Sequence, residues 1–190
     1  GSFDTTKYGS IPMIYVGIVP LLLAILFFTL KSIKFHVKLS YFFLIIIFIA
    51  SFSLERLDLF WQGMHAPNMF LHRYSWLFSL LIIFLAAETL QCLKQIKFKN
   101  LIISFTILSI GFILVFIFRK HYDFLGPVNF ILTLEFLLAY LLIFGTFTKS
   151  FISKKVFFVT TLAFVCFEVS LNAFYQVDGI AKEWVFASRS

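Results

Sequence analysis

Charge is the scarcest property of this sequence. Asp, Glu, Lys and Arg together make up 13% of it, about half the share that a soluble domain needs to cover its surface in water. That shortage excludes a water-soluble globular fold. Acid is rarer than base, with 9 Asp and Glu against 16 Lys and Arg. In a soluble protein a net charge of +7 would suggest a nucleic-acid partner. Here the positive charge sits in short loops between apolar runs, so no nucleic acid is expected. Cysteine is nearly absent, and Cys92 and Cys166 fall near opposite ends of their apolar runs. A disulfide between them is not expected, and neither has a companion at metal-ligand spacing. There is no Walker loop, GxSxG, HExxH or CxxC pair. No cofactor is expected, and no residue is assigned as a metal ligand, which leaves the need for a metal ion open. Nor is an inverted repeat visible among the spans.

What fills the chain is apolar: 61% of residues are hydrophobic, 29 are Phe, and the mean hydropathy is +0.99. The Phe residues are read as filling lipid-facing helix surface. Runs long enough to cross a bilayer, about 20 residues each, stand near 11–30, 39–55, 74–93, 101–118, 127–147 and 156–174. None alternates as a barrel strand would, and helices alone satisfy their own backbone groups in lipid without closing a barrel. The expected fold is all-α: a polytopic membrane bundle of about six transmembrane helices, forming a single domain over 1–190. Pro20 is expected to bend the first span, whereas Pro12 and Pro127 suit the first turn of theirs.

Loop charge sets the orientation. Lys31, Lys34 and Lys38 follow the first span, Lys94, Lys97 and Lys99 the third, and Lys149, Lys154 and Lys155 the fifth, with no Asp or Glu in any of these loops. On the other side Lys7, Arg56, Arg73, Arg119, Lys120, Lys182 and Arg189 are diluted by Asp4, Glu55, Asp58, Asp123, Asp178 and Glu183. Short lysine-rich loops stay in the cytoplasm, which places both termini on the non-cytoplasmic side.

The chemistry-bearing residues concentrate in the outer segment from Glu55 to Trp76, which holds acids, bases, two histidines, two tryptophans and a Pro67-Asn68 turn. Its Trp and Tyr also suit a membrane interface whatever the function. Arg73 stands just before an apolar span; its planar fork suits a phosphate or carboxylate, and it equally suits a snorkelling anchor or a partner for Glu55 or Asp58. His65 and His72 are read as ordinary loop histidines, since a metal would need a third ligand and Asp58 is the sole nearby choice. Glu88, Glu135 and Glu168 interrupt the spans. Acids at such depth are costly, and face the bundle interior, a cavity or a hydrogen-bonding neighbour helix. Glu88 is assigned to helix contact and Glu168, one turn from Asn172, to the outer site. Ser75, Ser79 and Ala86 give the third span a small-residue face that could meet a partner membrane protein.

The outer segment also carries a resemblance. Leu57-Asp58-Leu59-Phe60-Trp61-Gln62-Gly63, then Pro67-Asn68, then His72-Arg73-Tyr74-Ser75-Trp76-Leu77-Phe78-Ser79 resembles the YfhO family of bacterial membrane proteins. Tyr8 to Gly17 and Glu168-Val169-Ser170-Leu171-Asn172-Ala173 resemble it too, in the right order. Two positions depart from the pattern: Gln62 replaces an expected histidine, and His72 stands where an aromatic is common. The family is similar to the GT-C class of polyprenyl-phosphate-dependent glycosyltransferases. The resemblance implies a bacterial cell-membrane enzyme that moves a sugar from an undecaprenyl-phosphate carrier to a wall polymer such as teichoic acid. It also implies that this chain is an internal segment of a longer protein, inactive alone, with the usual catalytic acid of the first outer loop lying elsewhere. Within the segment, Asp58 and Glu168 are the candidate catalytic carboxylates, and Arg73, Arg56, His72, Trp61 and Asn68 the candidate substrate-binding residues. The alternative is a transporter or lipid-linked flippase whose path the intramembrane glutamates line.

Overall fold

The computed structural model describes residues 14–61, 63–64, 74–118 and 127–183. Each of the six apolar runs carries a helix: α1 (Ile18–Thr29), α2 (Phe35–Ser53), α4 (Ser75–Gln91), α5 (Phe98–Ile117), α6 (Pro127–Thr148) and α7 (Lys154–Glu183). A seven-residue helix, α3 (Glu55–Trp61), follows α2, and a single 3₁₀ turn (Leu93–Gln95) follows α4. No strand occurs among the described residues. Four stretches are long and apolar enough to cross a membrane, in α2, α5, α6 and α7, while α1 and α4 are apolar but shorter.

The hub of the bundle is α1, which packs against α4, α5 and α6. Seven of its 12 residues are buried, including Leu22, Leu23, Leu26 and Phe27. At 1.5 Å per residue it is about 18 Å long, well short of a hydrocarbon core of about 30 Å. The sequence led to a longer helix with a bend at Pro20. Instead the helix starts at Ile18, so Pro20 is its third residue and lies in the first turn, where a backbone N–H has no intrahelical partner to lose. Pro127, by contrast, opens α6 as its sequence position suggests. Pro12 lies outside the described residues.

Both ends of α1 are closed by side chains from other helices. At its C-terminus the Lys38 ammonium of α2 donates to the Phe28 carbonyl (2.9 Å), and the Asn100 amide of α5 reaches the Thr29 carbonyl (3.4 Å). Midway, the Thr89 hydroxyl of α4 lies 2.9 Å from the Leu23 carbonyl, and Ala86, one of the small residues of that helix, is buried in the same core. In lipid, where water supplies no alternative partners, such side-chain bonds and close small-residue contacts hold helices together.

The three lysine-rich loops meet at one end of this bundle. Ser32 lies 3.8 Å from the Cys92 sulfur, and the Lys149 ammonium sits 4.4 Å over the Phe98 ring. Nine lysines and no acid thus share one face, which gives the charge pattern a structural counterpart. Cys92 and Cys166 are both free thiols.

Candidate functional site

Two buried carboxylates stand toward the opposite end, and each is built into a different set of helices. The first is Asp58, on α3, 3% exposed. Beside it the Tyr74 phenol, just ahead of α4, shares its single proton between the Ser51 carbonyl (2.8 Å) and the Asp58 carboxylate. Ser51 is the hub here. Its hydroxyl accepts the Trp61 indole N–H (3.0 Å) and itself donates to the Ile47 carbonyl one turn back (2.7 Å).

Stacked rings fix the geometry. The Trp61 indole lies nearly parallel to Phe48 and to Tyr74, both at 5.4 Å, and Tyr74 stacks in turn on Phe52, also at 5.4 Å. Ring pairs of this kind are worth about 0.5–1.5 kcal/mol each beyond the area they bury. Together they clamp the short α3 across the end of α2. A seven-residue helix would not hold in isolation; it persists because Trp61 and Asp58 lock it to neighbouring helices.

The second carboxylate is Glu168, midway along α7 and 7% exposed. Its Oε1 accepts the Ile18 backbone N–H (2.9 Å) and, more weakly, the Tyr15 hydroxyl (3.4 Å), while Oε2 accepts the Tyr140 hydroxyl from α6 (2.7 Å). Ile18 is the first residue of α1, and the residue before it, Gly17, offers no side chain to cap the helix. Glu168 therefore caps α1 from 150 residues away. A carboxylate at a helix N-terminus is favoured by the partial positive charge there, and the effect grows where water is excluded. With Lys38 at the other end, both poles of α1 carry the matching sign.

Gly17 makes the approach possible. Its φ of +77° with ψ of 164° is a conformation that only glycine adopts readily. A Cβ placed there would stand 3.5 Å from Glu168 Oε1, ordinary contact, so the requirement is one of backbone conformation rather than space.

The sequence-derived candidates divide as follows. Asp58 and Trp61 come together around Ser51 and Tyr74. Glu168 belongs to a separate cluster with Tyr15 and Tyr140, and α1 packs between the helices that carry the two clusters. Arg56, on α3, is exposed. Asn68, His72 and Arg73 lie outside the described residues, as does His65. Asn172 is half-buried one turn beyond Glu168. The other two intramembrane acids, Glu88 and Glu135, are exposed on the outside of the bundle, so only Glu168 of the three faces its interior. No group of three or more metal-ligating side chains occurs among the described residues.

Sequence reasoning missed Ser51, Tyr140 and the cap on Ile18. In the sequence Ser51 is one small residue of an apolar run, and Tyr140 one aromatic among many. Their roles depend on which helices become neighbours, and no local pattern encodes that.

A search of curated proteins and a search of solved structures each found no match. The profile of one family, described as bacterial membrane protein YfhO, matches residues 1–190. By that match over its whole length, and with apolar helices to suit it, this chain belongs to the YfhO family of bacterial membrane proteins.

Proposed function

We propose that this chain is part of a membrane glycosyltransferase that transfers a sugar from an undecaprenyl-phosphate carrier to a cell-wall polymer such as teichoic acid. The observation that carries the reading is a buried acid, Asp58, held by Tyr74 beside stacked aromatic rings in a segment that carries the family resemblance. Sugar rings are bound against aromatic side chains, and Trp61 is partly exposed at the edge of this cluster.

In this reading the acceptor hydroxyl attacks the anomeric carbon as the bond from that carbon to the phosphate oxygen breaks. A carboxylate takes the hydroxyl proton, and the carrier leaves as its phosphate. Of the two outer carboxylates, Asp58 is assigned the proton. Glu168 has donors on both oxygens and closes a helix end, so it is assigned to position α1. Arg73 is assigned to the carrier phosphate, with His72 next to it in sequence and Arg56 and Asn68 elsewhere in the same segment. Charge-assisted contacts to a leaving phosphate are what such a reaction demands of a site.

The test is sugar analysis of purified wall polymers from cells lacking the gene, rescued with the full-length protein in wild-type, Asp58→Asn and Arg73→Ala forms. Each form must first be shown to reach the membrane. The expected result is loss of one sugar, restored by wild type alone. An unchanged sugar content in the deletion strain would end the transferase reading. Rescue by Asp58→Asn would move the base elsewhere, and rescue by Arg73→Ala would return Arg73 to an anchoring role.

A further inference from the structure

At the lysine-rich end, a cleft of about 230 Å³ opens between the end of α4 with its 3₁₀ turn, the last turn of α6 and the start of α7. Its lining falls into two halves. Lys94 and Lys154 supply positive charge from two separate elements, and Gln91 and Gln95 add neutral polar groups. Leu90, Leu93 and Phe147 form an apolar wall. No Asp or Glu lines it. The nearest acid in sequence, Glu88, is exposed on α4 outside the lining, and none of the three loops at this end contains one.

We infer that this cleft binds the phosphate-bearing headgroup of an anionic membrane lipid. Three observations converge on that chemistry. The cleft lies where α4 and α6 end and α7 begins, the level at which a headgroup meets the acyl region. Its two lysines come from different elements and line the same cleft, so both can offer positive charge to one anion. Its polar and apolar halves match a molecule with a charged head and a hydrocarbon body. Lys154 is also the first residue of α7, where the helix dipole adds positive potential. Basic pockets between transmembrane helices on the cytoplasmic side suit lipid headgroups in this way. The inference is independent of the proposed transferase.

The experiment uses the full-length membrane protein in mild detergent, titrated with phosphatidylglycerol, with phosphatidylcholine and with glycerol phosphate, and reads bound lipid by native mass spectrometry. Phosphatidylglycerol is expected to bind and phosphatidylcholine to bind much more weakly. The Lys94→Gln, Lys154→Gln double variant is expected to weaken phosphatidylglycerol binding roughly 10- to 30-fold, at about 1 kcal/mol per lysine. A control pair, Lys34→Gln with Lys97→Gln, removes the same charge from the same end without touching the cleft lining, and should change binding little. Equal losses in the two pairs would reduce the effect to diffuse surface charge and overturn the site. Glycerol phosphate competing as strongly as the lipid would overturn the lipid assignment, and no lysine-dependent binding would overturn both.

Discussion

Glu168 holds the backbone N–H of Ile18 at 2.9 Å, joining the middle of the last helix to the first residue of the shortest of the six apolar helices. The start of α1 is buried among the other helices, and a backbone N–H left there without an acceptor costs several kcal/mol where no water can reach it. The carboxylate, with the two tyrosines that orient it, supplies the missing acceptor. The same geometry gives a structural use for an acidic residue in a span that is otherwise apolar.

Replacing Glu168 with Ala should therefore destabilise the bundle more than loss of a neutral interhelical bond would. Neutral bonds in membrane proteins average about 0.6 kcal/mol, whereas bonds to a charged group are worth about 1.5–3 kcal/mol. Glu168→Ala also leaves Tyr140 and Ile18 without a partner, so a loss of roughly 2–3 kcal/mol is expected. Glu168→Gln keeps the shape and one good acceptor and should lose about 1 kcal/mol. Reversible unfolding in mixed detergent micelles would measure both. Equal stability of the Ala variant and wild type would show that Glu168 is not the structural cap of α1.

Gly17→Ala tests the same joint from the other side. The added methyl meets Glu168 Oε1 at an ordinary 3.5 Å, so any penalty must come from the backbone at φ +77°. Holding a non-glycine residue in that region costs about 1–3 kcal/mol. The expected outcome is lowered thermal stability of that size, and Gly17→Ala combined with Glu168→Ala should lose less than the sum of the two, because both changes act on one helix start. Strict additivity would mean that the two residues act separately.

Tyr74→Phe separates stacking from hydrogen bonding at the other carboxylate. The ring contacts with Trp61 and Phe52 should survive, and the bonds to the Ser51 carbonyl and Asp58 should not. A stability loss of about 1 kcal/mol is expected from the missing hydroxyl, accompanied by a larger fall in sugar transfer if Tyr74 orients a working Asp58. Proportional losses in stability and transfer would make Tyr74 a fold residue alone.

The helical class and all six apolar helices were legible in the sequence because hydropathy and length record them directly. The lysine loops were legible for a similar reason, and they gather at one end of the bundle. The start of α1 was not. An apolar stretch reads the same whether helical or extended, and the start at Ile18 fits Pro20 in the first turn together with Gly17 and its tertiary partner Glu168. The same limit applies to the site. Asp58 and Trp61 stood out by residue type within one segment, whereas Ser51 and Tyr140 matter through contacts that sequence spacing does not reveal.

Glu135 offers a test that bears on the alternative reading of a transport path. It lies in the ninth position of α6, about 12 Å along the helix from Pro127, and its side chain is exposed on the outside of the described bundle rather than aimed into it. A path through this bundle would place it inside, next to Glu168, where α6 instead presents Tyr140. Within this bundle Glu135→Gln should therefore leave stability nearly unchanged, within about 0.5 kcal/mol, as surface substitutions do. Sugar transfer by the full-length protein should be retained. Loss of function in Glu135→Gln with normal folding and membrane delivery would show that the carboxylate works against something outside this bundle, and would restore the case for a path in which it takes part.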